Sequence, residues 1–137
     1  MIIALAAAFL SAPGPGPTPP ATIVDTDETM AGQELLVPPG PLRVVATRIA
    51  LPAGATIGTH MHLWARYVYV ERGEVVLTLT GAGTSRTYRA GEMIVEPLGK
   101  WHSGRIVRDT VLIATEQVPP GRCNTVRPPA ADKAGDC

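Results

Sequence analysis

Charge of neither sign is in excess in this 137-residue chain: 12 Lys and Arg stand against 12 Asp and Glu, with no block of like charge. The basic footprint that draws in nucleic acid is therefore missing, as is a charged tail that could supply one. Long apolar runs are missing too. Ile2 to Leu10 is uniformly apolar, far short of the ~20 residues that span a bilayer. No segment holds a 3.6-residue apolar period between caps, and no internal repeat is present, which excludes helical bundles and solenoids. Neither a Gly-rich phosphate loop, a nucleophile elbow nor a pair of catalytic carboxylates occurs. Gly and Pro, 14 of each, stay below the share found in low-complexity chains. The prolines cluster at the ends, five in residues 1–21 and four in 119–137. This spacing predicts one compact domain over residues 22–118 between irregular ends.

Lys and Arg are also absent before Arg43, so Ile2–Leu10 lacks the usual charged flank. Its length, and the Pro/Gly run ending at Ala21, still fit the core of a secretion signal, with Ala12 and Ala21 as candidate cleavage points. No Cys follows the run, which argues against a lipid anchor there. The expectation is an exported protein, secreted or periplasmic, with a leader over residues 1–21 and a Pro-rich tail over 119–137. The two cysteines, Cys123 and Cys137, both lie in that tail. Pairing them closes a loop of about 15 residues, worth about 3 kcal/mol in the chain-entropy model, in a compartment that permits disulfides.

What the middle of the chain does have is strand after strand. Leu42–Ile49, Tyr67–Val70, Val75–Thr80, Thr84–Arg89, Met93–Val95, Arg105–Val107 and Thr110–Ala114 are rich in β-formers and punctuated by Gly. Gly73-Glu74 reads as a turn between two of them. Short strands at this spacing indicate a small antiparallel sandwich or barrel.

Three histidines carry the functional signal: His60, His62 and His102. One residue separates the first two, so on a strand both rings face the same way. Trp64, Arg66, Val68 and Val70 continue that face by parity. His102 lies past Pro97-Leu98-Gly99 at the start of another strand, and a neighbouring strand is near enough for its ring to join the pair. Neutral imidazoles bind zinc, copper, iron and nickel well.

Gly54, His60, His62 and Gly73 fit the pattern G-x5-H-x-H-x3,4-E-x6-G, with Arg66 at the Glu position. Gly91, Pro97, Gly99 and His102 fit G-x5-P-x-G-x2-H-x3-N, with Ile106 at the Asn position. Over residues 42–116 the chain thus resembles the cupin family, and specifically a small single-domain cupin of the jelly-roll type. The resemblance implies a divalent metal inside the barrel, its ligands His60, His62 and His102, and a small molecule as partner. A homodimer is a further expectation of the resemblance.

The fourth ligand position fails, because Arg66 cannot coordinate a cation. A guanidinium about 6 Å from a dication repels it by roughly 5 kcal/mol at an effective dielectric near 20. Either Arg66 turns aside to a carboxylate (Glu71, Glu74, Glu92 and Glu96 are near in sequence), or it clamps an anionic substrate. Alternation places Glu92 and Glu96 on one strand face, which reads as a solvated face, with Glu96 only a secondary candidate for the missing ligand. Trp64, Tyr67, Tyr69 and Trp101 are candidates for a pocket rim, although packing is the commoner role of strand aromatics. Met61 and Met93 read as gap-fillers. Two readings follow. One is a divalent-metal enzyme of the three-His oxygenase kind acting on a small anion, with iron, zinc, nickel, copper or manganese as the metal. The other is a metal-free, non-catalytic module that binds a small anion through Arg66.

Overall fold

A computed structural model describes residues 18–129. These hold seven strands and no helix: β1 (Arg43–Leu51), β2 (Thr56–His62), β3 (Arg66–Leu79), β4 (Ser85–Arg89), β5 (Met93–Val95), β6 (His102–Val118) and β7 (Thr125–Val126). Every strand pairing is antiparallel, and of the sandwich or barrel that the strand spacing indicates, the fold is the all-β barrel that the motif resemblance implies. Residues 1–17 of the expected leader and Cys137, one half of the expected disulfide, lie outside the described residues.

β3 and β6 form the spine, paired from Arg66↔Glu116 to Leu79↔His102. β5 and β4 add to the free side of β3. On the other side of β6, β1 pairs with its second half and β2 with its first. The core is the inward row of these strands, chiefly Val68, Val70, Val75, Leu77, Ile94, Ile106 and Leu112, with Tyr88 of β4.

Two expected breaks are absent. Along β3 the buried residues are Val68 and Val70, then Val75, Leu77 and Leu79, a change of parity. A strand that kept its register would turn the second row to solvent. The β3–β6 register slips by one residue between Val70 and Val75, and both rows stay inside. Gly73 sits in this slip at φ 91°, where a Cβ would collide with the backbone of Asp109 and Thr110. Glu74 N–H donates to Thr110 Oγ1 at 3.0 Å. Gly73-Glu74 is thus a bulge within one long strand, and the predicted turn is corrected. Likewise Arg105–Val107 and Thr110–Ala114 are parts of the single strand β6, since neither Gly nor Pro interrupts them.

Both flanks support the barrel. Residues 28–34 form a small loop whose Met30 N–H donates to Val95 O at 2.8 Å. The Gln33 amide brackets Leu98, donating to its carbonyl at 2.8 Å and accepting from its N–H at 3.0 Å. The turn that delivers His102 is thereby held at its start. Asp25, Asp27 and Glu28 are exposed, as expected. At the other end β7 pairs with β2 through Met61↔Val126 and His62↔Thr125. The described barrel therefore extends past residue 118, into what reads in sequence as tail.

Candidate metal centre

β2 delivers His60 and His62 at its end, and β6 opens on His102, which lies opposite His60 in register. The single-residue spacing puts both β2 rings on the inner face, while Met61 between them packs under β7. The three rings meet inside the barrel. Their centroids are 4.4 Å apart for His60–His102, 4.9 Å for His60–His62 and 5.2 Å for His62–His102. All three are buried.

Their outer nitrogens fix the tautomers of two of them. His60 Nδ1 lies 2.8 Å from Gly58 O, and His102 Nδ1 lies 2.9 Å from Lys100 O. A carbonyl oxygen only accepts, so each Nδ1 carries the proton and each Nε2 offers a lone pair inward. His62 Nδ1 is 3.4 Å from Thr125 Oγ1. Burial, reinforced by the neighbouring imidazoles, lowers the His60 pKa to about 4. Burial likewise lowers that of His102. Both rings are then neutral near pH 7, the form that binds metal.

Glu96 completes the cluster. Residues 94 and 96 do share one strand face, but it is the interior face. Ile94 is in the core, Glu96 is buried, and Glu92 lies outside the strand in the turn before it. The solvated-face reading is corrected, because the strand holds only Met93–Val95 and Glu96 projects inward just before Pro97. Its Oε2 lies 2.9 Å from His62 Nε2, and its Oε1 3.9 Å from His102 Nε2. Neither approach is aligned as a hydrogen bond: His62 Nε2, His102 Nε2 and Glu96 Oε2 are all buried without a hydrogen-bond partner. Burial alone would raise the carboxyl's pKa. The closeness of His62, then of Arg66 and His102, outweighs burial and holds it below the ordinary carboxylate range.

Arg66 is not an open clamp. Its Nε lies 3.3 Å from Glu96 Oε2, while its Nη1 donates to Glu116 Oε2 at 3.2 Å and to Thr125 Oγ1 at 3.5 Å. Of the carboxylates near it in sequence only Glu96 meets it. Glu71 pairs with Arg48 and Glu74 with Arg89, while Glu92 accepts from the Arg89 N–H. Asn124 ties the assembly together: its Nδ2 donates to Glu116 Oε2 and Trp64 O, each at 3.0 Å, and its Oδ1 accepts from Trp64 N–H at 2.7 Å. Two carboxylates against one guanidinium leave this largely enclosed group one net negative charge. Coulomb energy falls inversely with distance, so a carboxylate touching a cation at about 2 Å outweighs a guanidinium at about 6 Å roughly threefold. The expected repulsion from Arg66 is offset.

The donor atoms of His60, His62, Glu96 and His102 all lie within 4.8 Å of one another, near the spread of donors around one transition-metal ion at about 2.1 Å. Inward lone pairs, an ionised carboxylate and net negative charge all fit a divalent cation. Three nitrogens and one oxygen suit iron, zinc, nickel, copper or manganese. Beside this group lies a cavity of about 280 Å³, at the small end for ligand sites. Its floor is aliphatic (Val68, Val75, Leu77, Ile94, Leu112), and its polar lining includes His60, Arg66, Glu96, Thr125 and Arg127. None of Trp64, Tyr67, Tyr69 or Trp101 lines it. β2 ends at His62, so Trp64 sits in the following bend with Arg122 over its ring at 6.0 Å.

The sequence therefore locates the three histidines and Arg66, while Glu96 is misjudged and Glu116, Asn124, Thr125 and Arg127 pass unnoticed. Inward parity with Ile94 is the one signal that points to Glu96. Nothing local marks Glu116 or Asn124, which come to the site only through strand pairing.

Known proteins share this architecture. A family model described as "Cupin domain" matches residues 47–116. No curated protein matches the sequence. Among solved structures, an RmlC-like cupin from Shewanella frigidimarina is 23% identical at TM-score 0.50, covering 57% of this chain and 68% of its own. A Bacillus halodurans protein is 20% identical at TM-score 0.51, with 61% and 69% covered. The DMSP lyase DddQ from Ruegeria pomeroyi is 19% identical at TM-score 0.52, with 62% and 43% covered. At these identities the likeness is one of fold.

Proposed function

Because the chain belongs to the cupin domain family, we propose that it is an exported metalloenzyme whose His60–His62–Glu96–His102 centre acts on a small molecule held in the barrel. One observation carries this reading: His62 Nε2, His102 Nε2 and Glu96 Oε2, all buried and without a hydrogen-bond partner, converge with His60 on one point. A resting protein core does not leave such groups unsatisfied without a use for them. The bound metal supplies Lewis-acid polarisation, and redox chemistry if it is iron, copper or manganese. The chain's own residues do the rest. Gly58 O and Lys100 O hold the His60 and His102 rings in place, and Arg66 orients the Glu96 carboxylate. The aliphatic floor excludes water and takes the substrate's apolar part. The solved relatives include a lyase, and the fold alone does not choose a reaction. Export is supported by the apolar Ile2–Leu10 stretch, and by the Cys123–Cys137 spacing that suits an oxidising compartment.

The test is elemental analysis of the mature protein, made without a His-containing tag, beside a His60→Ala/His102→Ala variant. Near-stoichiometric metal in the wild type and its loss in the variant is the expected result. Iron would then direct assays to oxygen uptake, and zinc to elimination or hydrolysis. Absence of metal from both, even after incubation with salts of all five metals, would overturn the metalloenzyme.

A further inference from the structure

Arg127 lines the same cavity as His60 and Glu96 of the candidate metal centre. We propose that Arg127 selects an anionic substrate, binding its charged end at the cavity mouth while the metal-side floor takes an aliphatic body. The inference rests on the metal-centre reading for what happens to the substrate, not for how its charge is recognised.

Three observations place this role on Arg127. Its side of the strand is set: Thr125 and Arg127 are two residues apart, and both line the cavity, while Val126 between them is buried against β2. Pro128 follows, which disfavours the helical conformation for Arg127 and keeps it extended on that face. Its charge is free. Arg66, the other guanidinium in the lining, is committed to Glu96 and Glu116, whereas no ion pair among the described residues includes Arg127. It is also exposed, so it stands at the entrance rather than the floor. The remaining lining is mostly aliphatic and lacks lysine, tyrosine and tryptophan. A small carboxylate with a short hydrocarbon chain matches that division: a planar anion for a planar fork, and methylenes for the floor.

The experiment titrates the metal-loaded full chain with pentanoate and with its neutral isostere pentanamide, by calorimetry, in wild type, Arg127→Gln and Arg127→Lys. Metal content and Tm are recorded for each sample. The expected result is that Arg127→Gln weakens pentanoate by about tenfold, the size of a lost charge-assisted contact. Pentanamide should be unaffected, and Arg127→Lys should retain part of the preference. Equal pentanoate affinity in wild type and Arg127→Gln would overturn the proposal, as would no binding of pentanoate by the wild type. Failure of the metal-centre reading shows separately, as wild-type protein that takes up no metal. The Arg127→Gln comparison on that same protein still decides the question of the anion.

Discussion

An arginine beside a candidate metal centre is costly only while its charge is unpaired. Arg66 stands where the first motif calls for a ligand carboxylate, and its charge is answered on two sides by Glu96 and Glu116. A candidate ligand is thus supplied instead from just past β5, and the intruding cation becomes the group that orients it. Removing it strands two carboxylates beside each other. Loss of one partner from a fully buried pair typically costs 3–5 kcal/mol, and partial exposure here reduces that to about 2 kcal/mol. Metal-free Arg66→Ala should therefore unfold at clearly lower urea than wild type. Adding Glu116→Ala should recover part of the loss, because the two residues are coupled. A double variant no more stable than Arg66→Ala would show that stranding Glu116 costs no more than losing its contact with Asn124.

At the scale of elements, periodicity is reliable for which segments are strands and weak for where they stop. The alternation in Val75–Leu79 and the β-branched run Thr110–Ala114 are both legible. Gly73 is read as a stop because Gly most often ends a strand. Yet a glycine at positive φ also suits a bulge, and only the partner strand decides between them. The two uses differ in what surrounds the missing Cβ. Gly91, φ 91°, is a true turn residue with nothing within 4 Å of where a Cβ would sit, whereas Gly73 abuts Asp109 and Thr110. Gly91→Ala should cost only the backbone strain of about 1 kcal/mol. Gly73→Ala adds a steric collision to that strain and should cost about 3 kcal/mol or more. Urea midpoints of the two variants check this; equal losses would mean that the bulge can relax around a methyl group.

At the scale of the molecule, the fold and three of the four candidate ligands were legible because two spaced motifs repeat what the barrel needs: Gly at turns, and His on inward strand ends. The fourth ligand and its supports were not, because they depend on contacts between residues distant in sequence. Glu116 meets Arg66 across 50 residues, and Asn124 meets Trp64 across 60. The clustering of prolines after Val118 hides this, since it marks an irregular path and says nothing of whether that path is packed. Asn124 and Val126 are buried, Leu63 N–H donates to Asn124 O, and Thr125 reaches His62. A chain ending at Val118 should therefore lose far more than a loose tail. Burying one valine contributes about 1.5–3 kcal/mol, and orphaning the half-buried Trp64 and Glu116 partners of Asn124 costs up to about 1 kcal/mol for each group left unsatisfied. Those losses together approach the low end of the total stability of about 5–15 kcal/mol for a single domain. The expected outcome is a truncated protein with a sharply lower Tm and weaker metal binding, since the strand beside His62 is gone. Asn124→Ala, in the full chain, should shift Tm in the same direction by less. If the chain ending at Val118 matched the full chain in both Tm and metal content, β7 would be an ornament on the barrel rather than part of the wall that holds the candidate metal centre.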